Sequence, residues 1–239
     1  MDPGLLSGYG RVGGGARVDE SASREFLTRV YGFMSAGLGI TALTALAMAS
    51  SPALMGIFFG NPLLLWGSVI AQLVLVFTFS ARVNKMAVSN AAIMLVVYAV
   101  LNGVIFSSLF LRYTGTSIFG TFVVTSGMFA GMSAYGSITK KDLASWGSFG
   151  MMGVIGIILA SIVNLFIGSS MVSFVISVCG VVAFVALTAY DTQKIRDTFS
   201  SDAHQDDQTR LALGGALTLY LDFVNLFIFM LRLFGGRRD

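Results

Sequence analysis

Residues 217–231 read LTLYLDFVNLFIFML, and a single carboxylate, Asp222, sits midway along a run otherwise suited to hydrocarbon. The flanking composition says what kind of chain this is. Of its 239 residues, 55% are hydrophobic and 11% charged, with a mean hydropathy of +0.81. Soluble domains carry roughly a quarter charged residues. A helix needs roughly 20 mainly apolar residues to cross a bilayer. Seven such runs are expected, at about 30–50, 63–80, 88–111, 118–136, 146–167, 171–190 and 211–234. They are apolar on all sides, whereas barrel strands alternate, so the fold class is an all-α membrane protein, a seven-transmembrane-helix bundle.

The domain division follows. Residues 1–25 read as a polar, Gly-rich tail without an apolar signal core, and 26–239 as the transmembrane domain. Gly127-x-x-x-Gly131 and the series Gly147, Gly150, Gly153 and Gly156 are expected to let helices approach closely. Basic residues cluster beside alternate span ends: Arg11, Arg17, Arg24 and Arg29, then Arg82 and Lys85, Lys140 and Lys141, and Lys194, Arg196 and Arg210. That asymmetry predicts a cytoplasmic N-terminus. Arg232, Arg237 and Arg238 after the last run argue the other way, and seven full crossings are the expectation despite them. The net charge of +3 does not point to nucleic acid, because the cations flank spans and lack interleaved exposed aromatics.

Few residues offer chemistry. Cys179 has no partner for a disulfide and is expected to pack as a small apolar group. Asp202, Asp206 and Asp207 lie near the lone His204, without the ligand alternation or glycine of a calcium loop, and read as a solvated turn. No cofactor is implied. Asn102, Asn164 and Asn225 could line a pore, but hydrogen bonding within the bundle is the expected role.

Asp222 differs from these. It lies about 11 residues into its run, roughly 17 Å of rise, near the middle of the bilayer. A charge at that depth costs about 2.5–3.5 kcal/mol even on the lenient insertion scale, so it needs a partner, a proton or water. Asp191, ending the preceding run in ALTAYDTQKIR, is the candidate partner. Two carboxyls in one poorly hydrated site cannot both ionise cheaply, so the pair is expected to hold a proton, bind a cation, or do acid–base work. Ideal spans, however, leave Asp222 about 15 Å deeper than Asp191. The two meet only if the sixth helix tilts or extends, or if a wet cavity opens. A nearby cation, with Arg82 in TFSARVNKM the candidate, could hold the pair as an ion pair.

At these residues the chain resembles the Bax-inhibitor-type transmembrane family, bacterial branch, over about residues 24–234. The carriers are REFLTRVYGFMSAGLGITALTA, AYDTQKI and LALGGALTLYLDFVNLFIFMLRL. The resemblance implies a bundle whose last helix is central, in a cell inner membrane. It also implies a pH-regulated calcium leak channel governed by a di-aspartyl pair, matching Asp191 and Asp222, which would bind Ca2+ transiently. A latching arginine on the second helix maps to Arg82. The acidic tail of many eukaryotic members is replaced here by the basic RLFGGRRD. The expected partners are calcium ions, protons and the lipid bilayer. The alternative is a non-transporting regulator of a membrane-bound ATP-dependent protease. A remoter one is an intramembrane aspartyl protease, which also carries Tyr-Asp on one helix and Asp on the next. Its Gly-x-Gly-Asp context is absent, since Tyr220 and Leu221 precede Asp222, so a non-enzyme is expected.

Overall fold

Side chains that cap helices mark where the chain reverses. Asn61 accepts a hydrogen bond from the Leu63 N–H at 3.0 Å, Thr114 from Ser117 at 3.3 Å and Ser169 from Val172 at 3.3 Å. Each satisfies a backbone donor that a helix start leaves open. Pro52 and Pro62 take first helical positions, where their fixed φ helps and no N–H is missed. Gly168 ends a helix at φ 67°, a left-handed conformation that favours glycine.

The computed structural model describes residues 12–199, 204–236 and 238, with side chains from 21 onward. Its helices are α1 (Val12–Ala49), α2 (Pro52–Phe59), α3 (Pro62–Arg82), α4 (Val88–Phe106), α5 (Leu109–Arg112), α6 (Gly115–Ile138), α7 (Ala144–Ile167), α8 (Ser170–Thr198) and α9 (Gln205–Phe234). No strand occurs among the described residues. Seven of these helices are long and apolar enough to cross a membrane, and they correspond to the seven expected runs. Three boundaries depart from expectation. α1 begins at Val12, inside the segment read as a tail; residues 1–11 lie outside the described residues. α8 runs on to Thr198 rather than stopping near Tyr190, and α9 starts at Gln205 rather than near Leu211.

α9 is the axis of the bundle. In its most apolar window 61% of residues are buried, against 11% in α3 and in α7. It packs against α1, α4, α6 and α8, while α3 leans on α4 and α7 on α8. The outward faces carry side chains such as Leu63, Leu165 and Phe166, all more than 80% exposed, as hydrocarbon-facing helices require. Gly103 lies against the backbone of α1 at Thr41, and Gly136 against the Ala189 carbonyl of α8. Gly147 and Gly150 receive Tyr190 and Leu187, and Gly153 faces Ala183; Gly156 meets nothing. The expectation for Gly127 and Gly131 is corrected: both face outward with open space where a side chain would stand.

α9 traverses the whole bundle, so the last segment does not turn back. At its far end the Thr114 N–H donates to the Gly236 carbonyl (3.3 Å) and the Arg238 N–H to that of Arg112 (2.9 Å). The Gly236 N–H also donates to Ser117 Oγ (2.7 Å), and Arg238 Nη1 to the Phe110 carbonyl (3.0 Å). The chain after α9 is thereby tied to the α4–α6 connection. Among the described residues, Arg24, Arg29, Arg82, Lys85, Lys140, Lys141, Lys194, Arg196 and Arg210 belong to the end of the bundle where α9 starts. Arg112, Arg232 and Arg238 belong to the other.

Candidate functional site: a buried carboxyl pair

The register of α8 against α9 brings the two aspartates together. Gly215 of α9 receives Ile195 of α8, and further along Gly180 of α8 receives Phe229 of α9. Stepping four residues back from Ile195 and four on from Gly215 sets Asp191 opposite Leu219. That is one helical turn from Asp222. The extension of α8 to Thr198 and the early start of α9 make this register available, and the separation expected from ideal spans disappears. The Asp191 and Asp222 carboxyls are hydrogen-bonding neighbours. Asp222 is 5% exposed, and its Oδ2 has no donor from any other described side chain or backbone group. Asp191 is half-buried.

Asp191 also lines a cavity of about 160 Å³ that Asp222 does not reach. Its polar wall is Asp191, Asn84, Lys194, Thr198 and Thr218, and Phe26, Leu211 and the Gly214–Gly215 pair help to close it. The cavity lies at the cation-rich end of the bundle. It gives one carboxyl contact with a polar-walled cavity while the other stays sealed behind it.

Most of the remaining residues of AYDTQKIR have a structural task. Tyr190 fits over Gly147, and Thr192 Oγ1 lies 2.9 Å from Ser133 Oγ, which in turn lies 2.6 Å from the Tyr31 hydroxyl. Gln193 accepts from the Leu143 N–H (2.9 Å) and donates to the Lys141 carbonyl (2.8 Å), pinning the α6–α7 turn. Arg196 donates to the carbonyls of Ser137 (2.8 Å) and Thr139 (3.2 Å) at the end of α6. The motif therefore fixes α8 against α1, α6 and α7 on either side of Asp191. Sequence reasoning passed over Thr192 and Gln193 and read Arg196 only as an orienting charge; their signal is polar side chains continuing at helical spacing past an expected span end.

Beside Asp222, Tyr220 anchors a second buried network. Asn102 Nδ2 donates to the Tyr220 hydroxyl at 2.8 Å, and that hydroxyl lies 2.7 Å from Thr41 Oγ1. Thr41 Oγ1 donates to the carbonyls of Gly37 and Ala99, both at 3.0 Å. Its own proton is committed there, so Tyr220 must donate to Thr41. Asn102 thus takes the bundle role expected of it. Asn164 donates to Ser173 Oγ (2.7 Å) and Asn225 to the Leu221 carbonyl (2.8 Å).

Arg82 pairs with neither aspartate in this structure. α3 ends at Arg82 and a 3-10 turn follows at Val83–Lys85, so the inward side chain is that of Val83. Val83 is 8% exposed and packs near Gly214, while Arg82 is exposed and makes no ion pair with a described carboxylate. Cys179 faces outward instead of packing inside. Asp206 and Asp207 occupy the first turn of α9, where acidic groups favour the helix dipole, and Asp207 pairs with Arg210; Asp202 lies outside the described residues. Among the described residues no group of three His, Cys, Asp or Glu could hold a metal ion.

A seven-helix bundle around a central helix whose buried carboxyl meets a second one on the neighbouring helix defines a class of multi-pass membrane protein. The profile of the family described as "Inhibitor of apoptosis-promoting Bax1" matches residues 23–239. The chain belongs to this Bax inhibitor family. It is 44% identical over 215 residues to "Inner membrane protein YbhL" of Escherichia coli (strain K12), covering 89% of this chain and 92% of that one. It is 43% identical over 218 residues to an uncharacterized protein of Borreliella burgdorferi, covering 90% and 93% respectively. An uncharacterized protein of Rickettsia prowazekii, RP147, is 40% identical over 218 residues, covering 90% and 91%.

Proposed function

We propose that this protein is a proton-regulated calcium leak of the inner membrane, with Asp191 and Asp222 as sensor and transient ion site. The observation that carries this reading is the placement of the pair: one carboxyl on a cavity at the cation-rich end, the other sealed behind it with an unpartnered oxygen. A proton shared between the carboxyls supplies the donor that Asp222 Oδ2 lacks. Calcium prefers six to eight oxygen ligands, and two carboxyls supply at most four, so the pair suits passage rather than storage. Location in the inner membrane is taken from the naming of the Escherichia coli relative.

The sign of the pH response follows from charge. With one proton held, the pair keeps one negative charge and a charge-assisted hydrogen bond joins α8 to α9. A second proton leaves only a weaker neutral contact and loosens α8 on α9, so flux rises on mild acidification. Full neutralisation also removes the pull on calcium, so flux falls again at the acid limit. The test is calcium flux into liposomes containing only this protein, from about pH 5 to 8, the range of a perturbed carboxyl pair. Asp191→Asn and Asp222→Asn are each expected to flatten the profile, and the double variant to add little to either. Parental profiles in both single variants would return Asp222 to a purely structural role. An absence of flux above protein-free liposomes would favour the regulator of a membrane-bound protease instead.

A further inference from the structure

Among the described residues, Lys194 is the one cationic side chain on the wall of the cavity that exposes Asp191. It follows Asp191 by three residues on α8, so both project over the same face of the helix. Its ammonium acts electrostatically on the Asp191 carboxyl and lies 5.8 Å from the centroid of the Tyr190 ring. Tyr190 is held over Gly147, which limits where the lysine stem can lie. Lys194 is exposed and makes no ion pair with any described carboxylate, so its charge is not cancelled at short range. The other cations of this end are differently placed. Arg82 points outward, Arg196 is engaged with α6 carbonyls and Asp197, and Arg210 with Asp207.

We infer that Lys194 sets cation access to the carboxyl pair: its ammonium at the cavity mouth opposes entry of a divalent cation. The inference rests on the calcium-leak reading and adds the residue that limits the leak. A fixed positive charge at a narrow opening lowers the local concentration of cations and their entry rate, and a fixed negative charge raises both. The effect on a divalent ion is steeper than on a monovalent one, because the interaction scales with the product of the charges.

The test is calcium flux at neutral pH in liposomes holding the purified full-length protein, comparing the parent with Lys194→Gln, Lys194→Arg, Lys194→Glu and Arg82→Ala. Lys194→Gln should leak about threefold faster or more, Lys194→Glu faster still, and Lys194→Arg at the parental rate. The differences should shrink at about 1 M monovalent salt, where the screening length is about 3 Å. A purely structural lysine would not give that salt dependence or the recovery with arginine. Equal flux in the parent and Lys194→Gln overturns the inference while leaving the leak in place. So does an increase that arginine does not reverse, or one seen in Arg82→Ala alone. A parent that does not leak above protein-free liposomes overturns the leak and this inference together. Thermal melting of each variant in detergent separates a misfolded protein from an unaltered rate.

Discussion

Tyr220 stands two residues before Asp222, and its hydroxyl bridges Asn102 on α4 and Thr41 on α1. Tyr220→Phe keeps the ring against Tyr98 and removes that bridge, leaving an Asn102 N–H buried without an acceptor. A buried donor left open costs about 1–3 kcal/mol in soluble proteins, and hydrogen bonds between membrane helices average about 0.6 kcal/mol. The expected loss is therefore about 1 kcal/mol, read as an earlier midpoint of unfolding by denaturing detergent. A midpoint at or above the parent's would show that the network contributes nothing net. The two aspartates were legible in the sequence because a carboxylate in hydrocarbon demands an explanation. The Tyr220 network was not, since Tyr, Thr and Asn are common in membrane helices and the sequence does not show which hydroxyls face each other. The exposure of Arg82 was hidden for a related reason: a one-residue change of phase at the end of α3 turns Val83 inward in its place.

At the scale of helices, contact depends on rotation about the axis, which glycine spacing does not encode. Gly127-x-x-x-Gly131 has the spacing of a packing motif yet faces outward, while the isolated Gly103 and Gly136 sit in the tightest crossings. A Cβ at Gly103 would stand 2.6 Å from both the Thr41 carbonyl oxygen and Thr44 Cβ, and one at Gly136 would run into the Ala189 carbonyl. Because backbone cannot yield as a side chain can, Gly103→Ala and Gly136→Ala should each destabilise by about 1–3 kcal/mol, the range for overpacking. Gly127→Ala and Gly131→Ala meet open space and gain helix propensity, so they should fall within about 0.5 kcal/mol of the parent or be more stable. The same unfolding titration checks all four. If Gly127→Ala proves as damaging as Gly136→Ala, the outward face of α6 is covered by another molecule. Span existence was readable from hydropathy, but span ends were not: α8 continues through the polar DTQKIRDT because those side chains find partners on α6 and α7.

For the whole molecule, the collection of cations at one end predicts that this end faces the cytoplasm and the end of α9 faces away from it. Reporter fusions at the two termini should give opposite sides, cytoplasmic for the first. A cytoplasmic signal from both would contradict the full traverse of α9. The bonds tying Gly236 and Arg238 to Phe110, Arg112, Thr114 and Ser117 also bear on mechanics. A rod gripped in a vice at one tip bends least there and most at the other. The central helix is gripped at its far tip, so any swing of α8 against it is taken up between its start and Asp222, just past its middle. Ending the chain after Gly235 would release the vice, and amide hydrogen exchange should speed up in the outer turns of α9 ahead of the inner ones.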